Sequence, residues 1–376
     1  MTDELVAWLR LTLTPGVSGS AQRKLLRAFG TPEAIFTVGY SGVASVVGGK
    51  IASLLQANED ETAVSKTRDW LAGNPYNHVL TLADAAYPQQ LLSIADPPCV
   101  LYVSGNSAVL NNETISVVGS RNATPQGLKT AHEFARELAS HGYGISSGLA
   151  LGIDAAAHRG ALEAEGVTTV AFVGTGIDCV YPFRHQTLAE TIISRGAIVS
   201  EFPLGTPPAA ANFPRRNRLI AGISRGVLVV EASTESGSLI TARFAAEQGR
   251  EVFAIPGSIH SPFSRGCHRL IKEGAKLVET TQDILEELGR TRPYTTRRLP
   301  QQTKTVKGAT SSHTAGTTES PKEKALLLAM GAAPCNLDDI SRRTGESADN
   351  LLQQLLKLEL EGRVVSLPGN QYQCIV

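Results

Sequence analysis

Residues 115–148 read ISVVGSRNATPQGLKTAHEFARELASHGYGISSG, and the fold is predicted from this stretch. Its ends are short apolar runs, 115–118 and 143–146, of the kind typical of buried strands. Between them, Thr124 is a helix cap and Pro125 a favourable first helical residue. A strand, a helix and a second strand within about 30 residues predict two parallel strands joined by a crossover helix.

The same alternation continues to about residue 288, with further apolar runs at 168–173, 197–201, 227–231, 251–255 and 276–278. Two more runs within residues 78–105 are interpreted as an extension of the sheet. The succession predicts an α/β fold, an extended Rossmann-like doubly wound parallel sheet. In such sheets ligands bind in the crevice outside the carboxyl ends of the strands, so functional residues are expected in the loops after the runs.

Other segments flank this region, as expected for a chain of 376 residues. Residues 1–75 are predicted to be helical, and LTPGVSGSAQRKLLRAFG at 13–30 places a glycine-containing turn between two amphipathic segments. Helix-hairpin-helix modules hold DNA phosphates on such turns through backbone N–H groups. A SAM-like helical bundle that contacts proteins is an equally good interpretation.

The bounds of the remaining segments are predicted from composition and pattern. The Rossmann-like domain is assigned to residues 76–288, and residues 289–319, rich in Thr and poor in aliphatic side chains, are predicted to be a flexible linker. Residues 320–376 follow as three helices and two strands, the pattern of a winged-helix domain.

The composition limits the possible functions. The 35 basic residues balance the 35 acidic ones, so binding of a polyanion would need a local cluster of positive charge. The five cysteines are widely separated and lack zinc-ligand spacing, so no metal site is predicted. An acidic N-terminus and the lack of any apolar run near 20 residues predict a cytoplasmic protein without membrane contacts.

Small residues and hydroxyl groups follow the predicted strands. Neither GxxxxGK[ST] nor GxGxxG is present, so no nucleotide cofactor is predicted. Glycine- and serine-rich turns leave backbone N–H groups free for an anion, although each alone is more often a simple strand-to-helix turn. Together they predict a phosphate-binding rim, which consists of Gly119, Ser120, Arg121, Ser147, Gly148, Gly174, Gly176, Ser236, Gly237 and Ser238.

The strongest cationic cluster is FPRRNR at residues 213–218, predicted to begin a helix. A helix N-terminus favours anions, and an aromatic ring beside guanidinium groups can stack on a base. The combination favours a single nucleic-acid strand over a mononucleotide. The candidate residues are Phe213, Arg215, Arg216, Asn217 and Arg218, with Arg265 as a further possible phosphate contact.

Catalytic residues are not predicted. His158 lies four residues after Asp154, which resembles a base with its orienting carboxylate, but a helix-stabilising pair is the better interpretation. No candidate nucleophile in the sequence has a convincing partner.

The motifs VVGSRNATPQG, SSGLALGIDAAAH, EFPLG, NFPRRNRLIAG and EASTESGSLITARFAAEQGREVFAIPG resemble, in this order, the DprA/Smf family of DNA-processing proteins. The resemblance spans about residues 80–285. It implies a single-stranded DNA-binding protein of natural transformation, not an enzyme, that protects incoming strands and loads the RecA recombinase. It also implies a homodimer formed through the Rossmann-like domain. The phosphate-gripping residues it implies are Gly119, Ser120, Arg121, Arg216, Asn217 and Arg218.

Two alternatives compete with this interpretation. Phosphoribohydrolases of the LOG type, which cleave nucleoside monophosphates, carry PGGxGTxxE, whereas the corresponding strand end here, EASTESGS at 231–238, lacks the paired glycines. A winged-helix transcriptional regulator would read duplex DNA with the helix at 347–361. That helix carries Asp349, Glu359 and Glu361 against a single Lys357, which favours a protein contact.

Overall fold

The computed structural model describes residues 2–57, 61–166, 168–289, 321–331, 334–367, 369 and 371–375. These residues divide into two compact units, Met1–Thr281 and Gln282–Val376. The predicted linker at 289–319 lies outside the described residues apart from Gly289. Among the described residues, no helix is both long enough and apolar enough to cross a membrane.

The first unit begins with a group of helices that packs around its own apolar cluster, which includes Leu11, Leu25 and Ile35. The side-chain oxygen of Ser18 caps the second helix by accepting a hydrogen bond from the Ala21 N–H group at 3.3 Å. The helices are α1 (Asp3–Leu13), α2 (Gly19–Phe29), α3 (Pro32–Thr37), α4 (Gly39–Val47), α5 (Gly49–Ala57) and α6 (Thr62–Gly73).

A nine-stranded sheet follows in the same unit. The strands are β1 (Asn77–Thr81), β2 (Val100–Gly105), β3 (Thr114–Val118), β4 (Gly144–Ser147), β5 (Thr169–Phe172), β6 (Ala197–Ser200), β7 (Gly226–Val229), β8 (Glu251–Ala254) and β9 (Lys276–Leu277). The helices between them are α7 (Gln89–Leu92), α8 (Pro125–Ser140), α9 (Ile153–Glu163), α10 (Gln186–Arg195), α11 (Asn212–Ile223), α12 (Ser238–Glu247) and α13 (Arg265–Lys272).

The strand order β1-β2-β6-β5-β4-β3-β7-β8-β9 confirms the doubly wound sheet. Strands β3 to β9 pair in parallel, whereas β2 pairs antiparallel with β6 and β1 antiparallel with β2. From β3 the chain winds first through β4, β5 and β6, and then on the other side through β7, β8 and β9. The order therefore reverses between β3 and β7, which is where such a fold opens its crevice.

The predicted helix start at α8 is confirmed in detail. The Thr124 hydroxyl accepts a hydrogen bond from the Gly127 N–H group at 3.0 Å, and Pro125 is the first helical residue. The Thr124 hydroxyl also donates to a Glu231 carboxylate oxygen at 2.6 Å, which ties the start of α8 to the loop after β7. All five residues of β3 are buried, as expected for a strand covered by helices on both faces.

The second unit has its own apolar cluster, which includes Ile340, Leu351 and Leu355. A three-stranded antiparallel sheet of order β10-β12-β11 accompanies its helices, which agrees with the predicted winged-helix fold. Helix α14 (Thr281–Glu287) begins at the last residue of the first unit. The other elements of the second unit are α15 (Pro321–Met330), β10 (Cys335–Asn336), α16 (Leu337–Thr344), α17 (Ala348–Leu360), β11 (Val364–Leu367) and β12 (Gln371–Cys374).

Candidate functional site

A cavity of about 680 Å³ opens at the crevice between the loops that follow β3 and β7. The start of α11 forms another side of it. Many of the sequence-predicted residues are brought together here. Those that line the cavity are Gly119, Ser120, Arg121, Phe213, Arg216, Asn217, Ser236, Gly237 and Ser238.

Aromatic and guanidinium groups stack at this cavity. Arg121 is exposed, and its guanidinium carbon lies 5.1 Å from the centre of the Phe213 ring. On the same cavity, the centre of the Tyr181 ring lies 5.9 Å from that of Phe213, with the two rings inclined at 39°. An exposed guanidinium over one ring of an aromatic pair can grip a phosphate while the pair meets a base.

Arg216 is held differently, because its side chain is buried and only 3% of the residue is exposed. Its Nη1 atom donates hydrogen bonds to the carbonyl oxygens of Gly148 and Phe172, and its Nε atom donates to Asn217 Oδ1 at 3.1 Å. Burial lowers the pKa of the guanidinium to about 10, while Asp154 acts in the opposite direction. Arg216 therefore remains charged at neutral pH and presents a fixed positive field at the cavity wall.

The balance of charge in the cavity is positive. The charged residues that line it are Arg121, Arg216 and Asp154. Asp154 is buried and accepts a hydrogen bond from the Ala150 N–H group at 3.3 Å. Burial raises the pKa of this carboxyl group, and Arg216 opposes the shift. Two guanidinium groups against one carboxyl suit an anionic ligand.

Two of the predicted glycines make room for these side chains. A Cβ atom at Gly148 would overlap Arg216 Nη1 and would lie 2.6 Å from Asp154 Oδ2. A Cβ atom at Gly174 would lie 3.0 Å from the Phe213 ring. A smaller recess beside the main cavity is lined by both glycines together with Arg121. The sequence analysis assigned Gly148 and Gly174 to phosphate-binding turns. In the structure, both glycines also leave space into which neighbouring side chains pack.

The start of α12 supplies hydroxyl groups to the cavity. Ser238 is its first residue, and its hydroxyl lies 2.6 Å from that of Ser236. Asn217 reaches the same turn, since its Nδ2 atom donates to the Gly237 carbonyl oxygen at 3.3 Å. The positive end of the α12 dipole therefore adds to the field of the arginines.

Arg215 and Arg218 line a different cavity, on the other side of the start of α11. Arg218 is buried, donates to the carboxylate of Glu201 through Nη2, and lies 3.2 Å from Asp96 Oδ2 through Nε. Arg215 is more exposed, and its guanidinium carbon lies 4.9 Å from the centre of the Phe202 ring. The three arginines within residues 215–218 therefore have three different environments.

Three other predicted residues lie apart from the main cavity. The Ser147 hydroxyl is buried and donates to the Val117 carbonyl oxygen at 2.6 Å. Gly176 donates its N–H group to the Thr206 carbonyl oxygen at 2.9 Å. Arg265 is exposed and begins α13, outside the residues that line the cavity.

The predicted helix pair between Asp154 and His158 is wrong. The Nδ1 atom of His158 instead lies 2.7 Å from the Thr169 hydroxyl, on the neighbouring strand. Burial of the ring lowers the pKa of His158 to about 3, so the imidazole is neutral at physiological pH. Packing of α9 against the sheet turns the ring inward, which four-residue spacing does not reveal.

Two residues that line the cavity, Tyr181 and Asp154, were not predicted as site residues from the sequence. Asp154 was considered only as the partner of His158 within a helix. Tyr181 follows the run 168–173 in the chain, and an aromatic residue after a predicted strand is the signal that was available. Among the described residues, no group of three or more His, Cys, Asp or Glu side chains is placed to hold a metal ion.

Comparison with family models gives two matches along the chain. The model described as DNA recombination-mediator protein A matches residues 78–289. The model described as the DprA winged helix domain matches residues 310–370.

Individual relatives give the same result. The chain is 42% identical to protein Smf of Escherichia coli over 301 residues, which is 80% of this chain and 78% of that protein. It is 46% identical to DNA processing protein DprA of Streptococcus pneumoniae over 207 residues, which is 55% of this chain and 73% of that protein.

Two solved structures are also similar. The crystal structure of DprA from Streptococcus pneumoniae superposes with a TM-score of 0.67 at 36% identity, covering 76% of this chain and 98% of that one. A structure of DNA processing protein A from Helicobacter pylori, described for its single-stranded DNA binding mode, gives a TM-score of 0.51 at 30% identity. It covers 56% of this chain and 95% of that one.

Proposed function

Because the chain belongs to the DprA/Smf family of DNA recombination-mediator proteins, we propose that it binds single-stranded DNA in the cavity between β3 and β7. The observation that carries the proposal is the exposed Arg121 guanidinium over the Phe213 ring, with Tyr181 beside it. Stacking accepts any base, and a guanidinium grips phosphate without reading sequence. The single-stranded DNA binding described for the relative from Helicobacter pylori supports the same assignment.

Within this proposal the predicted residues have two roles. Arg121, Phe213 and the turn at Ser236, Gly237 and Ser238 are the proposed direct contacts at the cavity. Arg216 acts from the cavity wall as a buried charge and as a support for neighbouring carbonyl groups.

The test is titration of a labelled oligothymidine and of a duplex of equal length, followed by fluorescence anisotropy at two salt concentrations. We expect a preference for the single strand. Arg121→Ala should weaken binding and reduce the slope of log K against log[salt] by about 0.7. Arg136→Ala is the matched control, because Arg136 is exposed on α8 and does not line the cavity. Identical slopes in the parent and both variants would contradict the proposed site.

Separate experiments test the more detailed parts of the proposed function. We propose that the protein shields single strands from nucleases, loads the RecA recombinase and acts in the cytoplasm as a homodimer through the Rossmann-like domain. Light scattering tests the dimer, nuclease digestion of a bound strand tests protection, and RecA filament formation tests loading. The domain boundaries after residues 75, 288 and 319 are also proposals, and limited proteolysis tests them.

We propose binding and not catalysis as the role of the cavity, with no cofactor. Incubation with AMP distinguishes this from the LOG-type alternative, because release of ribose 5-phosphate would reveal a phosphoribohydrolase. Preference for a particular duplex sequence would instead favour a transcriptional regulator.

A further inference from the structure

The loop after β5 extends beyond the cavity at a point that the proposed function does not use. The smaller recess beside the cavity shares Tyr181 and Phe213 with it and is also lined by Pro182. Phe183 follows Pro182 directly, and Cα atoms two residues apart in a chain are separated by at most about 7 Å. The backbone of Phe183 therefore lies within about the length of one nucleotide of Tyr181.

Phe183 is the most exposed aromatic residue in the described part of the chain, with 82% of the residue exposed. A single exposed apolar residue is ordinary on a protein surface, so exposure alone assigns no role to it. Here, however, Tyr181 is also exposed, and its ring already pairs with that of Phe213 in the cavity. Several aromatic side chains in succession are the kind of surface on which consecutive bases of a single strand stack.

The backbone that carries Phe183 is held by its neighbours. His185 is buried, and its Nδ1 atom lies 2.9 Å from the Leu149 carbonyl oxygen. The His185 N–H group also donates to the Pro182 carbonyl oxygen at 2.9 Å, so the two hydrogen-bonded residues enclose Phe183 in a tight turn. A platform that is in place before the ligand arrives lowers the entropic cost of binding.

Arg184 places a positive charge beside this ring. It is exposed, and none of the described residues forms an ion pair with it. It is also the only Asp, Glu, Lys or Arg residue between Asp178 and Glu190. A guanidinium next to an aromatic ring repeats the combination of Arg121 and Phe213 in the cavity. A nucleic-acid strand uses both groups, because its bases stack and its phosphates accept from guanidinium.

We propose that the bound strand continues from the cavity over this turn, with a base stacked on Phe183 and a phosphate contacted by Arg184. This inference rests on the proposed function, because the strand reaches Phe183 from the rings of Tyr181 and Phe213. Stacking accepts any base, so the added contact increases affinity without adding sequence preference.

The test uses the full chain and a labelled oligothymidine of about 15 nucleotides, followed by fluorescence anisotropy. Phe183→Ala should weaken binding by about tenfold, as expected for the loss of one stacked base. Phe183→Leu, which is apolar but has no flat ring, should be equally weak, whereas Phe183→Trp should bind as the parent does. Tyr76→Ala is the matched control, because Tyr76 is 60% exposed in the same unit and lines neither the cavity nor the recess.

Two further measurements examine the ring and the charge separately. The Phe183→Trp variant adds a tryptophan to Trp8 and Trp70, which lie on the N-terminal helices α1 and α6. Addition of the strand should quench the emission that this variant has in excess of the parent, whereas the excess emission of Tyr76→Trp should remain. Arg184→Ala should reduce the slope of log K against log[salt] by about 0.7.

The outcomes separate this inference from the proposed function. If Phe183→Ala binds the strand as Tyr76→Ala does, the turn is not a subsite, although weak binding by Arg121→Ala would still support the cavity. If Phe183→Leu binds as tightly as the parent, the contact is apolar and not stacking, and the proposal is wrong. Light scattering gives a third outcome: a changed molar mass of Phe183→Ala with unchanged affinity for the strand would assign the ring to a contact with a second copy of the chain.

Discussion

Replacing Arg216 by alanine should destabilise the first unit far more than replacing Arg121. The two arginines adjoin the same Phe213 ring, with guanidinium carbons 5.9 and 5.1 Å from its centre. Only Arg216 is buried, however, and only its guanidinium group satisfies carbonyl groups of the sheet and its loops. Its removal takes away a structural partner as well as a positive charge.

The expected magnitude follows from these contacts. The Arg216 side chain donates to the carbonyl oxygens of Gly148 and Phe172, and each buried acceptor left unpaired costs about 1–3 kcal/mol. Asp154 would also lose the largest favourable charge acting on it. Because these losses overlap, the free energy of unfolding should fall by about 3–5 kcal/mol, the usual cost of breaking a buried charged contact.

Urea denaturation followed by tryptophan fluorescence measures this change. The two tryptophans, Trp8 and Trp70, both belong to the unit Met1–Thr281, so the signal reports the unit that contains the cavity. The control Arg121→Ala should remain within about 0.5 kcal/mol of the parent, as exposed substitutions usually do.

An Arg216→Ala variant as stable as Arg121→Ala would refute this reasoning. It would mean that the carbonyl groups find other partners or water, and that Arg216 is available to a ligand. If the destabilisation is observed, loss of DNA binding in Arg216 variants reports folding as much as contact. Arg121 is then the cleaner residue with which to test the site.

Other predictions concern the same unit and the winged helix. Gly148→Ala should destabilise the protein by about 1–3 kcal/mol, because the new Cβ overlaps Arg216. Gly73→Ala is the control and should not destabilise it, because a Cβ there meets no neighbour. Equal unfolding midpoints for the two variants would contradict the packing role of Gly148. His158 binds a proton more weakly when folded, so stability should fall as pH drops from 6.5 towards 3, by up to about 1.4 kcal/mol per unit. His158→Gln should flatten this slope in urea titrations, and an unchanged slope would assign it to other groups. Phe213→Ala should weaken single-strand binding by about 1–3 kcal/mol in the anisotropy titration, the range for one stacked base, and unchanged affinity would exclude stacking on this ring. Deleting residues 320–376 should leave single-strand binding largely intact, because α17 exposes Leu352, Leu356 and Leu360 and carries more acidic than basic residues. Loss of binding would move the site to the winged helix.

The fold of the sheet and the family could both be predicted from the sequence. Runs such as 115–118 and the cap at Thr124 depend on local spacing, which a strand or helix imposes on the chain directly. Order along the chain then places the loops after β3 and β7 at one crevice. The proximity of Arg121, Phe213 and the Ser236 turn could therefore be expected from the sequence.

The role of each arginine, in contrast, follows from the packing of the folded chain. Arg215, Arg216 and Arg218 are equivalent residues in the sequence, but each step along a helix turns the side chain by about 100°. Packing of α11 against the sheet buries Arg216 under carbonyl groups, directs Arg218 to Glu201 and leaves Arg215 more exposed. The residues that bury each arginine side chain or accept its hydrogen bonds lie in distant segments of the chain. No local sequence pattern therefore shows which guanidinium group remains available to a ligand.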